Sequence, residues 1–495
     1  MPQSRLVTRR PELPELLKTI QPYLPDGTAI WLVGGSVRDQ LLGLDSHDLD
    51  LVVGGPARRA ARAVANGLGA DYYDLDRERD TGRLLLGGGP GFQVTLDFSR
   101  LDPGGIEQDL KQRDFTINAL AIPLQTPESI LDMTNGLRDL ELGQVRACGP
   151  MSVQNDAVRA LRAVRLAHQL GFEIEHSTLD QVRRAGVQLK NVSVERIRDE
   201  FFRILALPSA GSALRESVEL GLLFDVLPEL APLEGMAQPE PHHFDGLEHS
   251  LRVADQLARW VGYADASEGL WPQLEPYAER IQAHLAQTFA LDRSRRQLLV
   301  LAGLLHDVGK PGVMQVTDSG VPRFHGHESV GAEMVVRRGE ALHLSRSEVG
   351  SLGRVVANHM RPGQLAKEPD LTGRAVYRYF RATGEDGIDI CLLALADATG
   401  LSDPPPDARR WERRLGVAKR LLEAYFDRRN EEVTPKPLVT GKELMQALGL
   451  DQGPLIGRLL EALRQEQAEG RIRSREQALA FATQHLHESE ISSNE

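Results

Sequence analysis

Asp48-Leu49-Asp50 runs directly into the apolar residues Leu51-Val52-Val53. On an extended strand, residues i and i+2 share a face, so both carboxylates point the same way, roughly 6.6–6.8 Å apart along the chain. Two such carboxylates can hold a pair of Mg²⁺ ions about 3.5–4 Å apart, the arrangement that drives in-line phosphoryl transfer. One ion lowers the pKa of an attacking hydroxyl while the other carries a triphosphate. Asp97, on the strand-like run Gln93–Phe98, is a candidate third carboxylate if that run lies alongside. Upstream, Gly34-Gly35-Ser36 falls between a strand pattern and a helix pattern. There, backbone N–H groups can cradle phosphates. Arg38 and Asp39 follow on the helix. Taken singly, Asp-Leu-Asp is a solvated strand edge and Gly-Gly a plain turn; their succession is what points to chemistry.

A second constellation lies downstream. The apolar run Leu298–Leu305 leads into His306-Asp307, followed by Val308-Gly309-Lys310. A His-Asp pair at the end of a buried helix offers adjacent ligands, and a bidentate Asp can bridge two metals. His249, His327, His359 and Asp397, each in a helical stretch, complete a candidate two-metal set. Mixed His/Asp ligation suits Mn²⁺, Fe²⁺, Ni²⁺, Co²⁺ or Mg²⁺. Any one of these histidines alone is an ordinary surface or core residue.

These side chains need elements to position them. Ala29–Val33 and Leu49–Val53 read as strands, Val37–Leu42 as a short helix, and Gly87–Gly89 as a break before Gln93–Phe98. From about Gln154 the pattern is helical, with Val158, Leu161 and Val164 forming an apolar stripe beside Arg159, Arg162 and Arg165. Pro228 to Pro241 reads as a linker, Pro404-Pro405-Pro406 as a second break, and Glu488 to Glu495 as a frayed end. With 495 residues the chain has room for three or four domains. Its 41% hydrophobic and 26% charged residues exclude a disordered chain or a coiled-coil rod. No apolar run approaches the ~20 residues of a membrane span. Met1 to Glu12 lacks an apolar signal core, and Cys148 and Cys391 build no disulfide framework, so a reducing cytoplasm is expected. The net charge of −12 argues against a globally basic nucleic-acid coat. Residues 151–210, however, carry nine Lys/Arg against seven Asp/Glu, a locally basic stretch.

The Gly-Gly-Ser-Val-Arg-Asp turn with Asp-Leu-Asp after it resembles the class II nucleotidyltransferases, the family of bacterial tRNA CCA-adding enzymes and poly(A) polymerases. The resemblance continues through Arg113-Asp114-Phe115-Thr116-Ile117-Asn118-Ala119. It implies that the polar residues there (Arg113, Asp114, Asn118) face the ribose and triphosphate of the incoming nucleotide. Asp132, Gly136, Asp139 and Arg146 match a hinge motif, Asp156, Arg159 and Arg162 the nucleotide-template motif, and Glu195-Arg196-Ile197-Arg198 the helical motif behind it. Asn155 departs from the pattern, where the family usually has Glu. Chemically, a carboxylate accepts from an exocyclic amine and a guanidinium donates to ring acceptors, so Asp156 and Arg159, one helical turn apart, can read cytosine or adenine and reject uracil. An i,i+3 surface salt bridge is the bland alternative. His306-Asp307 with His249 and Asp397 looks like the HD phosphohydrolase superfamily, which implies cleavage of phosphoesters such as 2′,3′-cyclic phosphates, with Lys310 on a substrate phosphate. The C-terminal Thr440–Pro454 region is similar to the tail of some bacterial CCA-adding enzymes.

The expected architecture is α+β: a nucleotidyltransferase head with a small mixed β-sheet (1–145), a helical neck (146–235), an HD domain (240–403) and a helical tail (404–495). The implied activity is template-independent addition to tRNA 3′ ends of CMP alone (CC) or of CMP and AMP (CCA), with CTP and ATP as substrates. Asp48, Asp50 and Asp97 are the catalytic candidates. Gly34, Gly35, Arg38, Arg113, Asp114, Asn118, Asp156, Arg159, Arg162 and Arg165 are the nucleotide-binding ones. A poly(A) polymerase uses the same motifs; an HD phosphohydrolase with a degenerate head is the rival from another class. Only residues 98–112 separate Asp97 from Arg113, a shorter segment than such enzymes usually carry, which implies that CC is added more readily than the terminal A.

Overall fold

The computed structural model describes residues 13–25, 27–45, 48–89, 92–262, 269–290, 292–401 and 407–491. The readings placed on Met1–Glu12 and on Pro404-Pro405-Pro406 lie outside them. The chain forms two compact units, Met1–Ser193 with Leu220–Asp225, and Val194–Glu219 with Val226–Glu495.

The first unit holds a seven-stranded sheet: β1 (Ile30–Val33), β2 (Asp48–Val53), β3 (Asp71–Asp76), β4 (Thr81–Gly89), β5 (Phe92–Arg100), β6 (Leu120–Pro123) and β7 (Leu131–Asp132). Their order is β3-β4-β5-β2-β1-β6-β7. Among the described residues of this sheet, β2 and β5 alone pair in parallel. Period-two alternation splits β2 between two faces. Leu49, Leu51 and Val53 join Leu84, Leu96 and Phe98 in a core roofed by the helix Ala57–Leu68. That helix turns Ala57, Ala60, Ala61 and Ala65 inward, and such short side chains let its backbone approach the strands. On the opposite face Asp48 and Asp50 are exposed, while Val52 is buried in a second core with Val33, Leu110, Ala119 and Ala121. Strands β3 and β4 were not expected. β3 is an edge strand (Asp-Tyr-Tyr-Asp-Leu-Asp) whose three aspartates, poor strand formers, blunt the edge with charge. β4 runs through Gly87–Gly89 rather than breaking there.

The second unit is helical. Its long helices include Gly246–Gly262, Arg295–Leu305, His327–Ala341, Arg346–Asn358 and Gly387–Gly400. The linker expected over Pro228–Pro241 is instead a packed segment: a 3₁₀ turn at Pro228–Leu233 buries Leu230 and Leu233, and Met236 follows them inside. The tail helices Gly441–Leu448, Pro454–Ala468 and Arg475–Ile491 enclose a core of their own around Leu444, Leu459, Leu463 and Ala478. The last helix continues through Ile491, past the point where fraying was expected.

Candidate functional site

The head site is built on one row of the sheet. Asp50 is the register partner of Asp97 on β5 and of Val33 on β1, and Asp97 is the partner of Arg83 on β4. Register partners point to the same face, so Arg83, Asp97 and Asp50 stand side by side. Desolvation, with the repulsion of Asp97 and Asp48, outweighs the pull of Arg113 and pushes the Asp50 pKa up to about 6. The residue nevertheless stays open to solvent on the sheet surface. An all-carboxylate donor set under mutual repulsion fits a hard divalent cation. Arg83 Nε and Nη2 each donate to one of the Asp97 oxygens, both at 2.7 Å.

Gly34 closes the row beyond Val33. Its φ is +81°, a conformation that favours glycine, and a Cβ there would lie 3.1 Å from Arg113 Nη1 and 3.3 Å from Asp50 Oδ2. The bare Cα therefore preserves a gap between a guanidinium and a carboxylate. Arg113 is steadied by Asp109, whose carboxylate accepts from its Nε at 3.0 Å.

Four of the expected nucleotide-binding residues, Arg38, Asn118, Asp114 and Arg162, brace one another. Arg38 is 5% exposed; it forks onto Asp39 and donates to Asn118 Oδ1 at 2.6 Å. Asn118 donates to Asp114, which also accepts from Arg162 Nη1 at 3.0 Å. Burial alone would push Asp114 up, but Arg162, the Phe115 N–H and Asn118 hold it below the usual carboxylate range. A second chain holds the hinge: Thr116 donates to Asp139, Arg146 bridges Asp139 and Glu175, and Glu175 caps the helix His176–Ala185. Only glycine fits at position 136, because a Cβ there would lie 2.1 Å from the Thr116 carbonyl oxygen.

Asp156 and Arg159 do not share a helix. Asp156 is extended (φ −150°, ψ 91°) between the short helix Ser152–Asn155 and the helix Val158–Leu170. Arg159 Nη1 donates to the Ser152 hydroxyl at 2.8 Å, and its Nε lies 3.7 Å from Asp156 Oδ2. The two thus meet as a part-buried pair, with the guanidinium tethered to Ser152. Arg165 Nη1 donates to Gln169 Oε1 at 2.7 Å.

The second unit gathers all six expected metal ligands. His249, His306, Asp307, His327 and His359 are buried, and Asp397 half-buried. Asp307 Oδ2 lies 3.1 Å from His306 Nε2 and 3.6 Å from His249 Nε2; its Oδ1 lies 3.3 Å from His327 Nε2 and 3.9 Å from His359 Nε2. Asp397 Oδ1 is 3.2 Å from His249 Nε2. Asp307 thus faces two half-sites, one per oxygen. The opposite ring nitrogen of every histidine rests on a main-chain carbonyl: Gly400 at 3.2 Å, Gly303 at 2.8 Å, Phe324 at 2.8 Å and Val356 at 2.7 Å. Each Nε2 is thereby aimed inward, as metal ligands require. Burial opposes a charge on His306, but Asp307 and Asp397 raise its pKa; burial and His306 together drop His359 to about 3. Lys310, expected on a substrate phosphate, has its Nζ 2.5 Å from Asp307 Oδ2 and donates to Gln238.

Sequence reasoning missed Arg83, Asp109, Ser152, Gln238 and Arg414, the last 3.5 Å from Asp397 Oδ2. Arg83 was missed because its strand was; the others follow no motif spacing.

Comparison with known proteins follows the same order along the chain. Family models match for a poly A polymerase head domain (30–88 and 91–146), an RNA- and SrmB-binding site of polymerase A (171–234), an HD domain (246–399) and a tRNA nucleotidyltransferase domain 2 (419–482). The chain is 33% identical over 479 residues to an A-adding tRNA nucleotidyltransferase of Deinococcus radiodurans, covering 96% of this chain and 97% of that one. It is 33% identical over 455 residues to a CC-adding tRNA nucleotidyltransferase of Thermus thermophilus, covering 91% and 92%. In fold it is similar to a Thermotoga maritima CCA-adding enzyme solved with tRNA, at 21% identity and TM-score 0.57, covering 96% and 95%. By its sheet-borne carboxylates and near full-length relatives, the chain belongs to the tRNA nucleotidyltransferase and poly(A) polymerase family, and it carries an HD domain.

Proposed function

We propose that this protein adds CMP to tRNA 3′ ends without a nucleic-acid template, stalling at CC, with AMP addition the weaker activity. The observation that carries the reading is the gap at Gly34, walled by Arg113 and Asp50 on the face that also bears Asp48. In the reaction the 3′-hydroxyl oxygen attacks the α-phosphorus of CTP, the bond to the β-phosphate oxygen breaks, pyrophosphate leaves, and the hydroxyl proton passes to solvent. Asp48 and Asp50 would hold Mg²⁺, which supplies neutralisation of the phosphates and acidification of the attacking hydroxyl. Arg113 stands where a triphosphate charge would lie. The Asp156–Arg159 edge accepts from the cytosine amine and donates to its ring nitrogen.

The stall at CC is supported by the segment between β5 and Arg113. Only Leu101–Gly105 is irregular there, closed by the Gly105 N–H on the Asp102 carbonyl, and the helix Ile106–Gln112 takes up the rest. So short a connection gives little leverage to shift the template pair for a purine. The A-adding and CC-adding names of the relatives favour tRNA ends over poly(A) tails as substrate, and neck and tail surfaces would hold the acceptor stem in the cytoplasm. Among the described residues no helix is long and apolar enough to cross a membrane. The test supplies tRNA transcripts ending at the discriminator base, or at CC, with each labelled nucleotide singly. CMP addition with stalling at CC is expected. Efficient AMP addition to the CC-ended tRNA overturns the product reading, and no incorporation at all overturns the whole.

The HD centre favours a second, phosphohydrolase activity. Its ligand set suits Mn²⁺ or Ni²⁺. Lys310 and Arg414 add positive charge beside two carboxylates that would already be metal-bound, an excess that an incoming phosphate relieves. Hydrolysis of 2′,3′-cyclic AMP with added Mn²⁺ or Ni²⁺ is expected and should vanish in His306→Ala. No hydrolysis together with no bound transition metal would make the domain structural.

A further inference from the structure

We propose that Asp97 is an anchor for Arg83 rather than a metal ligand, and that Arg83 holds a backbone phosphate of the RNA 3′ end entering the head site. This rests on the nucleotide-addition reading above.

Both Asp97 oxygens are engaged by one guanidinium at 2.7 Å, the bidentate geometry in which charge-assisted bonds are strongest. The fork takes one lone pair of each oxygen and offsets the carboxylate's charge, which makes Asp97 a weaker metal ligand than Asp48 or Asp50. The pair is also built into the sheet, because Arg83 and Asp97 are register partners on β4 and β5. The fork is therefore held at a set position on the face that bears Asp50, with 39% of the Arg83 side chain still in solvent.

The order of the row gives Arg83 its task. Across the sheet run Arg83, Asp97, Asp50 and Val33, and Gly34 with Arg113 closes the far end. The strand bearing Asp48 and Asp50 thus has a cation on either side. In-line transfer places the entering and leaving oxygens on opposite sides of the phosphorus. With the pyrophosphate toward Gly34 and Arg113, the attacking 3′-hydroxyl comes from the β5–β4 side. An RNA strand arriving there brings its phosphodiesters past Arg83, and a planar guanidinium suits a phosphate better than a point charge does.

The test compares Arg83→Ala, Arg83→Lys, Asp97→Asn and the double variant Arg83→Ala/Asp97→Asn in the full-length protein. For Arg83→Ala, the tRNA KM and Kd should rise roughly tenfold, as for loss of one charge-assisted contact, while the CTP KM holds. The slope of log K for tRNA against log salt should shrink by about 0.7, one single-stranded phosphate contact. Asp97→Asn should reproduce the tRNA defect, and the double variant should be no worse than either. Mg²⁺-dependent CTP binding, measured by equilibrium dialysis, should survive in Asp97→Asn and be lost in Asp50→Asn. Loss of that binding in Asp97→Asn overturns the proposal, as does a normal tRNA Kd and salt slope in Arg83→Ala. If Arg83→Ala lowers the melting temperature, Arg83→Lys decides: it should keep the salt slope yet raise the tRNA KM, and a wild-type KM overturns the proposal. A wild-type chain that adds no nucleotide sinks the parent reading; one that adds CMP while Arg83→Ala extends tRNA normally sinks this proposal alone.

Discussion

At the scale of single residues, the head site turns on what is absent from Gly34. Gly34→Ala adds a Cβ in a φ +81° backbone, between Arg113 and Asp50. Strain of this kind costs of order 1–3 kcal/mol, within the stability of a large domain, so the variant should fold. CMP incorporation should nevertheless fall by a hundredfold or so, since misplacing reacting groups by an ångström costs about that factor. A variant with normal incorporation would show that no phosphate uses the gap. The template pair offers the converse test. Asp156→Arg with Arg159→Asp reverses donor and acceptor edges, so CTP use should drop and UTP or GTP use appear in single-nucleotide assays. An undiminished CTP preference would place base reading elsewhere. The tether of Arg159 to Ser152 adds that Ser152→Ala should blur base choice more than it slows the chemistry, measured as the CTP to UTP ratio.

At the scale of elements, the hinge depends on Glu175. Its carboxylate accepts from the Thr178 N–H at 3.0 Å and the Ser177 hydroxyl at 2.7 Å, and it pairs with Arg146 at 3.1 Å. Desolvation opposes the charge, but these hydrogen bonds win and hold its pKa at about 2, below its ordinary 4.5. A depressed folded-state value means that the unfolded chain takes up the proton first. The stabilisation is therefore whole above pH 4.5 and is lost as pH falls toward about 2. Glu175→Ala should cost about 1 kcal/mol at neutral pH, a typical helix-cap loss. Its deficit relative to wild type should shrink between pH 4.5 and 2, as followed by denaturant melts at each pH. A deficit constant across that range would assign the effect to packing.

At the scale of the whole molecule, the two candidate sites lie in separate compact units: Asp48 and Asp50 in the first, the His/Asp cluster of the HD domain in the second. Separate cores leave little reason for one site to need the other. Asp50→Ala should abolish nucleotide addition, to below a few per cent, yet retain hydrolysis of 2′,3′-cyclic AMP. His306→Ala should do the reverse, with transition-metal content by elemental analysis falling alongside hydrolysis. Loss of both activities in either variant, in a protein with an unchanged melt, would mean that the sites are coupled.

Much of this was legible in the residues themselves. Alternation along Asp48–Val53 determined which face carries the carboxylates, and the apolar run before His306-Asp307 determined a buried helix ending in ligands, because periodicity and burial are local consequences of side-chain type. The order of motifs determined the family. What only the tertiary structure decided depends on register and on long-range partners. Nothing in the spacing of Arg83 and Asp97, 14 residues apart, says that one forks onto the other; that needs β4 and its register on β5, which the glycine-rich end of β4 obscures. That Arg38, Asn118, Asp114 and Arg162 join in one hydrogen-bonded brace, across as many as 80 residues of sequence, is likewise decided by the fold. The Asp156–Arg159 spacing reads as one helical turn, but the chain is extended at Asp156, and Ser152 sets the guanidinium. Six ligands spread over residues 249–397 become one centre only when five helices converge and main-chain carbonyls turn each Nε2 inward. Pairing of this kind comes from the sum of packing over distant segments, which no local pattern encodes.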